Sequence, residues 1–291
     1  MNRIAKLESL PESRQQGIQT VLQIPLKITV KEGSFLHIGS SPSPLTEKKA
    51  PVFSVDGQPV IPASSFKGAF RYQVEQLLID KKDEFISKFG ITDDELIKPC
   101  IPAPRPSKAE QKLLQLGYRK HCEIKVEEDR VEIPQKNGRP IGICPVCYFF
   151  GATGLMGFLR IPNFWPEPGP HTIEQTNIRI DRKTGTAAHG PLRSGDQVKP
   201  GTIFKGTLEI VAQQRTFQFG RAREIGETKV DLWLDGISSK SIKEVQLLLI
   251  NEILIPALNN MIALGGQKSK GAGKILIEIE ERRDPNETKT H

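Results

Sequence analysis

The chain has 291 residues, of which 37% are hydrophobic and 26% are charged, and its formal net charge at pH 7 is +7. This composition is typical of a soluble globular protein long enough to bury a core, and it contains no apolar run of membrane-spanning length. The N-terminal residues contain no apolar signal region, so we expect a cytoplasmic protein without a membrane partner, and the positive charge favours an anionic one.

The first stretch of the chain combines a polar start with a strand and a hairpin. Residues 1–17 are polar, and we predict that they form a flexible tail. The alternating segment 18–30 predicts a strand, in which Pro25 indicates an edge position or a bulge. Further on, the pair Asp56-Gly57 predicts the tight turn of a short hairpin.

A helix is predicted directly after this hairpin, with Ser64 or Ser65 as its N-cap. Lys67 and Arg71 lie four residues apart on this helix, near an N-terminus whose free amides and dipole favour an anion. The alternative is that both are ordinary solvated basic residues. The apolar positions follow the three-four spacing of a core-facing stripe: Phe66, Ala69, Phe70, Val74, Leu77 and Leu78.

We interpret residues 80–150 as an inserted lobe, because this segment is charged and rich in proline, and its sequence predicts only one short helix, near 108–116. All four cysteines of the chain lie in this lobe, at positions 100, 122, 144 and 147. In a cytoplasmic protein such cysteines indicate metal ligands or buried thiols rather than disulfides.

The cysteine spacing predicts a structural zinc site. Cys144 and Cys147 form a C-x-x-C knuckle that can grip one tetrahedral Zn²⁺, and Cys122 supplies a third thiolate. The fourth ligand is either His121 or Cys100. The sequence favours His121, because it lies closer along the chain to the other three ligands. Two adjacent residues are, however, geometrically unfavourable as ligands of one ion, and Cys100 would complete a simple four-cysteine set. A lobe with little hydrophobic core of its own needs a cross-link such as a bound metal. The alternative is that the cysteines are buried and bind no metal.

The second half of the chain predicts four strands, a hairpin and a long helix. Strands are expected at 155–162, 176–180 and 202–212, a helix with a kink at Pro256 at 241–264, and a last strand at 274–280 before a flexible tail, 281–291. The second strand and the polar excursion after it carry four basic residues: Arg179, Arg182, Lys183 and Arg193.

Without the insertions, the predicted order is strand, helix, strand, strand, helix, strand. This βαββαβ order predicts an α+β, ferredoxin-like core, similar to RNA-recognition domains, with two helices behind a four-stranded antiparallel sheet. The insertions then form a zinc-stapled lobe and a hairpin. Enzymes share this scaffold with RNA-binding domains, so the fold alone does not decide the function.

The segment 263–274, ALGGQKSKGAGK, predicts a contact with phosphate. Glycines such as Gly271 allow a close backbone approach, Lys268 and Lys270 supply charge, and Ser269 supplies a hydroxyl group. It is not a Walker loop, because no GK[ST] follows at the required spacing. The alternative is a plain glycine-rich turn. Only 6% of all residues are aromatic, so backbone contacts rather than base stacking are expected to dominate binding to a nucleic acid.

Four motifs in this order resemble the RAMP superfamily (repeat-associated mysterious proteins), and in particular the backbone subunits of type III CRISPR effector complexes. VIPASSFKGAFR at 60–71 resembles the family's IPGSSLKGxxR helix start, with Ala63 in place of its glycine. CPVCYFFG at 144–151, NIRIDRKTGTAAHGPLR at 177–193 and the loop at 263–274 resemble its C-x-x-C-x-x-FG segment, its thumb hairpin and its terminal glycine-rich loop.

The resemblance implies one domain over 18–280, copies or paralogues of which stack along a guide RNA beside other effector subunits in antiviral defence. Ser65, Lys67 and Arg71, with the loop 265–273, would hold the guide backbone. The hairpin within 177–200 would act as a thumb against the duplex of guide and target RNA. Base pairing would then supply the sequence specificity, a division of labour also known from guided DNA recognition.

The resemblance also implies where a target-cleaving aspartate would lie, just ahead of a Pro-Val pair. This chain has lysine or alanine there, and Glu47 and Asp56 are the nearest carboxylates. We therefore predict a subunit that does not cleave its target. The alternatives are a metal-dependent endoribonuclease that uses Mg²⁺ at such a carboxylate, and a precursor-RNA processing nuclease with His37 as its general base.

Overall fold

A computed structural model describes residues 3–39, 51–127, 130–177, 181–186 and 193–280, with the backbone alone at 175–177 and 193–194. The strands are β1 (Ser13–Gln16), β2 (Gln19–Val30), β3 (Ser54–Val55), β4 (Gln58–Pro59), β5 (Lys125–Glu127), β6 (Arg130–Glu132), β7 (Gln135–Lys136), β8 (Arg139–Pro140), β9 (Leu159–Arg160), β10 (Trp165–Pro166), β11 (Thr172–Asn177), β12 (Arg193–Val198), β13 (Ile203–Gln214), β14 (Phe217–Gln218), β15 (Glu224–Ile225), β16 (Thr228–Lys229) and β17 (Ile275–Ile279). The α-helices are α1 (Ala63–Asp80), α2 (Lys82–Phe89), α3 (Lys108–Gln111), α4 (Pro145–Phe150), α5 (Ile242–Leu249) and α6 (Ile255–Asn260). Shorter 3₁₀ turns lie at Asp94–Leu96, Lys112–Leu116, Leu232–Ile237 and Lys268–Lys270.

The main sheet is antiparallel, and its centre is the pair of twelve-residue strands β2 and β13. The other side of β2 pairs first with β1 and then with β17. The outer side of β13 pairs with two short pieces, β9 and β10, at its two ends. The order across the sheet is therefore β17, β2, β13 and the β9–β10 edge. The mixed α and β content predicted from the sequence is confirmed.

Strand β2 shows why the alternation in the sequence predicted it. Ile24, Leu26, Ile28 and Val30 are buried on one face, while the residues between them lie on the other. Pro25 lies in the gap between β1 and β17, because its carbonyl accepts from the Glu280 amide just past the end of β17. Its missing N–H would point the same way, so the strand tolerates a proline there.

The helices cover the apolar face of the sheet and form one core with it. Phe66, Phe70 and Val74 of α1 are buried in that core, as the three-four spacing predicted. The second long helix runs from α5 to α6 through a π-helical turn, Ile250–Leu254. This turn ends two residues before Pro256, whose ring and missing N–H disfavour the regular α-helical hydrogen bond to the preceding turn.

The N-terminus of α1 corrects one prediction from the sequence. The N-cap is Pro62, and neither Ser64 nor Ser65 makes a capping hydrogen bond. Instead the amide of Ala63 donates to Oδ1 of Asn163 at 2.8 Å. The cap is thus supplied by a side chain 100 residues further along, which the local sequence of the helix could not reveal.

The first residues of the chain lie along the second long helix. The side chain of Asn259 bonds both the amide and the carbonyl of Ile4, at 2.7 and 3.0 Å, and Asn251 bonds those of Leu7 at 2.7 and 2.8 Å. Within the predicted tail 1–17, the structure therefore holds residues 4–7 against the helix and residues 13–16 in β1.

Two short predicted elements of the first half are confirmed. Asp56 and Gly57, with φ of 50° and 78°, form the turn that joins β3 and β4. The predicted helix near 108–116 is present as α3 followed by a 3₁₀ turn.

The predicted strand at 155–162 is shorter, because pairing with β13 breaks between β9 and β10. No helix in the described part of the chain is long and apolar enough to cross a membrane.

Candidate metal centre and nucleic-acid interface

Four buried cysteines meet beside α1. The Sγ atoms of Cys100, Cys122, Cys144 and Cys147 all lie within 4.8 Å of one another. The Sγ atoms of Cys100 and Cys147 are 3.3 Å apart. A tetrahedral metal with bonds to sulfur of about 2.3 Å would separate its ligands by about 3.8 Å, so the cluster fits one such ion. Four thiolates could hold a metal, and they would leave no open coordination position.

Local structure brings these four residues together in two steps. Cys144 is the N-cap of α4, where Pro145 suits the first helical position, and its Sγ accepts from the amide of Cys147 at 3.4 Å. The more distant Cys100 is brought in by a pair of backbone hydrogen bonds, from Ile101 to the Arg119 carbonyl and from Arg119 to the Pro99 carbonyl. The lobe therefore closes around the sulfur atoms.

The imidazole of His121 lies outside this cluster, so the structure favours the second of the two predicted ligand sets. Its Nε2 lies 2.9 Å from Oγ1 of Thr153, and its Nδ1 is buried with no hydrogen-bond partner among the described atoms. Cys100 completes the group.

Two arginines direct their guanidinium groups at the sulfur atoms. Nη2 of Arg71 lies 3.6 Å from both Cys100 and Cys147, and Nη2 of Arg119 lies 3.1 Å from Cys122. Four thiolates around a divalent cation carry a net charge of −2, which these two arginines balance. Hydrogen bonds and charges of this kind stabilise the deprotonated form of metal-binding cysteines. The sequence predicted Arg71 as a phosphate ligand and did not single out Arg119.

The pKa values agree with this electrostatic arrangement. Burial opposes ionisation of Arg71, but the neighbouring Cys147 and Cys100 raise its pKa above the ordinary value. The pKa of Cys122 is held well below its usual value by hydrogen bonds from the other three cysteines, with the nearby Arg119 acting in the same direction. Hydrogen bonds with neighbouring cysteines raise the pKa values of Cys100 and Cys147 instead, so without a metal only part of the cluster favours the thiolate form.

Arg71 is also tied to a buried carboxylate. Its Nε donates to Oε1 of Glu75 at 2.9 Å, and the Tyr118 hydroxyl donates to Oε2 of the same residue at 3.3 Å. Burial raises the pKa of Glu75 even though Arg71 lowers it. Only 14% of the Arg71 side chain is exposed. It is therefore held between Glu75 and the sulfur atoms, not free on the helix surface as the sequence predicted.

A pocket of about 710 Å³ opens next to the cysteine cluster. It lies at the first turns of α1, where Lys67 is exposed, while Ser65 of the same turn is half-buried and does not line it. Its lining contains four basic residues and no carboxylate: Lys67, Arg71, His121 and Arg160, together with Cys100, Pro102, Cys147, Phe150, Leu159 and the loop 151–157.

The glycine-rich loop 263–274 packs beside β12 and the segment after β2. The amide of Gly273 donates to the Phe35 carbonyl at 2.6 Å, and that of Gly266 to the His37 carbonyl at 2.8 Å. Nε2 of Gln197 bonds Oε1 of Gln267 at 3.3 Å. Lys268, Ser269, Lys270 and Gly271 are exposed at the tip of the loop. The described hydrogen bonds of this loop thus join it to β12 and to the segment after β2, and its predicted contact with the guide backbone beside Ser65 and Lys67 stays a prediction.

Two glycines of this loop should respond differently to alanine. Both have positive φ, 82° at Gly271 and 85° at Gly273, but an added Cβ meets open space at the first and the Leu264 carbonyl at 2.3 Å at the second. We expect Gly271→Ala to lower the free energy of unfolding by about 1 kcal/mol and Gly273→Ala by at least about 3 kcal/mol. Chemical denaturation of both variants measures the difference, and equal effects would contradict this account.

The predicted thumb residues lie on a turn at the surface. The Asp181 carboxylate accepts from the amide of Lys183 at 2.7 Å, and the amide of Asp181 donates to the Thr186 carbonyl at 2.8 Å. Arg182 and Lys183 are exposed. Arg179 lies outside the described residues, so its predicted role stays a prediction.

Two of the three catalytic candidates lie in the described part of the chain, in different settings. His37 is buried, and its Nδ1 lies 3.2 Å from the Asp196 carbonyl. Asp56 is in the hairpin turn, and its positive φ there explains why an aspartate occupies this position without any catalytic role. Glu47 lies outside the described residues. The structure thus does not bring His37 and Asp56 into one described site.

The fold and the site together define an α+β protein with a four-cysteine centre beside a basic pocket. The RAMP superfamily matches residues 29–276, and the chain belongs to that superfamily. Among solved structures, a similar chain comes from "Cryo-EM structure of the Type III-B Cmr-beta bound to cognate target RNA", with 16% identity, a TM-score of 0.41 and coverage of 88% of this chain and 96% of that one. A search of curated proteins gave no significant match.

Proposed function

We propose that this protein is a guide-RNA-binding backbone subunit of a type III CRISPR effector complex. The observation that carries the proposal is the superfamily match, which spans residues 29–276 and so includes all four motifs in full. In this role, copies or paralogues assemble along the guide with other effector subunits. The subunit contacts the duplex of guide and target RNA and does not cleave the target itself.

The arrangement of positive charge supports a role in RNA binding. Lys67 lines a pocket without carboxylates, and Lys268 and Lys270 are exposed at the tip of a loop. Arg182 and Lys183 are exposed on the predicted thumb. Cations that do not face carboxylates are the groups with which proteins neutralise a phosphate backbone.

We also propose that the core is ferredoxin-like. The support is the strand order: β17, β2, β13 and the β9–β10 edge are the fourth, first, third and second core strands of a βαββαβ chain. Helix α1 follows the first of these strands, and the helix from α5 to α6 precedes the last. The lobe 80–150 and the hairpin within 177–200 are then insertions into this core.

The metal that suits the cysteine centre best is structural zinc. Zn²⁺ prefers a closed tetrahedral set of thiolates, and Arg71 and Arg119 compensate the charge of such a set. Cys100, Cys122, Cys144 and Cys147 would hold the ion, which supplies cross-linking of the lobe and no chemistry toward a substrate.

A double substitution in the loop tests the proposal. Because the flexible cations at the tip would contact phosphate, we expect Lys268→Gln with Lys270→Gln to weaken binding of single-stranded RNA. The slope of log affinity against log salt should become shallower by about 1.4, at about 0.7 for each lost phosphate contact. Fluorescence anisotropy at several salt concentrations provides both quantities.

The matched control is Lys240→Gln with Lys243→Gln, which removes the same charge from exposed positions near the start of α5. Equal salt slopes for the two double variants would reject the loop as a phosphate site. Purification of the protein with a small RNA of uniform size and with other effector subunits would support the whole proposal. Cleavage of complementary RNA by this subunit in Mg²⁺, abolished by Glu47→Gln or Asp56→Asn, would overturn the non-cleaving role.

A further inference from the structure

The pocket beside α1 differs in charge from the open face of the main sheet. On that face, Lys27 pairs with Glu278 at 3.1 Å, and Lys205 pairs with Glu167 at 3.0 Å and with Glu280 at 2.5 Å. An anion arriving there would compete with carboxylates already in place. The lining of the pocket, by contrast, contains no carboxylate.

The cations of the pocket fall into two groups. Arg71 is held by Glu75 and two sulfur atoms, so its charge is already engaged. Lys67 is exposed and has no ion pair among the described residues. Arg160 bonds the side-chain carbonyls of Gln16 and Gln19. Its cross-strand neighbour Glu209 accepts from Gln16 and Gln23 instead, so among the described residues no carboxylate bonds the Arg160 guanidinium directly. Two cations of the pocket are therefore available to an anion.

The apolar part of the pocket includes the exposed side chain of Met156, whose backbone is held in place by hydrogen bonds. The Met156 side chain is 66% exposed at the mouth of the pocket, while the Met156 carbonyl accepts from Nη1 of the buried Arg223 at 2.5 Å. Reciprocal backbone hydrogen bonds between Ala152 and Leu155, at 2.9 and 3.1 Å, close the loop below it. An exposed apolar side chain on an anchored backbone offers a surface for a flat ring, since the polarisable sulfur of methionine favours aromatic contacts.

We propose that this pocket receives one nucleotide of the bound RNA, with the phosphate between Lys67 and Arg160 and the base against Met156. The volume of about 710 Å³ lies within the range of roughly 300–1,000 Å³ typical of small-molecule sites. This inference rests on the proposed RNA-binding function. It adds Arg160 and Met156 as contacts, and it reassigns Arg71 from the phosphate to the metal centre.

The charge part of the proposal is tested with Lys67→Gln, Arg160→Gln and the double variant. Each single change should make the salt slope of RNA binding shallower by about 0.7, and the double change by about 1.4. Arg139→Gln, an exposed arginine on β8 that does not line the pocket, is the matched control and should leave the slope unchanged. Glutamine at 160 can still bond the neighbouring amides, and thermal unfolding checks that the variants remain folded.

The base contact is tested without removing any charge. A photo-crosslinking benzoyl-phenylalanine at position 156 should form a covalent adduct with radiolabelled single-stranded RNA on irradiation. The same group at the exposed Leu116 should form no adduct. Leu116 lies near the far end of α1, because a Cβ added at its neighbour Gly117 would lie 3.7 Å from Ile79 of that helix. That end lies about 18 Å along the helix from Lys67, at 1.5 Å per residue.

The outcomes separate this inference from the proposed function. A wild-type protein that binds RNA, with an unchanged slope in the double variant and no adduct at position 156, would overturn the pocket and leave the backbone-subunit role intact. A wild-type protein that binds no RNA, with or without other effector subunits, would overturn both. A reduced slope together with an adduct specific to position 156 supports the pocket.

Discussion

Replacing Cys100 with serine is expected to lower the bound metal from about one equivalent to near zero and to unfold the lobe around the cysteines. The Sγ atom of Cys100 lies within 4.8 Å of the other three, and serine is a poor ligand for a thiolate-preferring ion. Because metal affinity in such a site is coupled to folding, we expect a loss of more than about 4 kcal/mol in the free energy of unfolding. Metal analysis after denaturation, together with urea unfolding, measures both effects.

The matched variant is His121→Ala, which tests the other ligand set predicted from the sequence. Its imidazole bonds Thr153 and lies outside the sulfur cluster, so the alanine variant should retain its metal and lose about 1 kcal/mol or less. Retention of metal in Cys100→Ser with loss of metal in His121→Ala would reverse the assignment. Absence of metal from the wild-type protein would reject the centre altogether.

The substitution Asp231→Asn is expected to destabilise the protein by about 3–5 kcal/mol, because it leaves a buried guanidinium without its counter-ion. Oδ2 of Asp231 accepts from Nε of Arg223 at 2.7 Å, and Oδ1 accepts from Nη2 at 2.8 Å. Their side chains are 0% and 1% exposed, respectively. The same guanidinium lies over the rings of Tyr148 and Phe158, so its displacement would disturb the aromatic core as well.

The control for this variant is Asp235→Asn in the same segment. Asp235 pairs with Lys229 at 3.0 Å, but both side chains are more than 40% exposed. A surface pair of this kind contributes less than about 1 kcal/mol. Urea unfolding of the two variants should therefore differ by at least about 2 kcal/mol, and similar midpoints would show that the buried pair contributes little.

Much of the sheet was predictable because its signals are local. The alternation of Ile24, Leu26, Ile28 and Val30 predicted β2 within one residue of its observed start, and the same reasoning located β13 and β17. The Asp56-Gly57 turn was predictable because few residue pairs adopt its backbone conformation readily. The N-cap of α1 was not, since its partner Asn163 comes from a distant segment.

The candidate site was predictable only in part. The spacing of Cys144 and Cys147 indicated a metal knuckle, because two ligands on one helical turn must lie close together. The choice between His121 and Cys100 depended on the backbone pairing near Arg119, which joins segments about 20 residues apart. A signal for Arg119 existed in its position three residues before Cys122, but basic residues near cysteines are common and do not point to sulfur on that ground alone.

The amino-acid order alone was enough to predict the strands β2, β13 and β17, the long helices, the hairpin turn, three of the four clustered cysteines and the family resemblance, because periodicity, turn chemistry and motif spacing act over a few residues. Only the tertiary structure decided that Cys100 completes the cluster and that Arg71 faces sulfur while Lys67 remains free. These outcomes depend on which distant segments pack together, and burial then determines which charges are neutralised inside the protein and which remain available to a ligand.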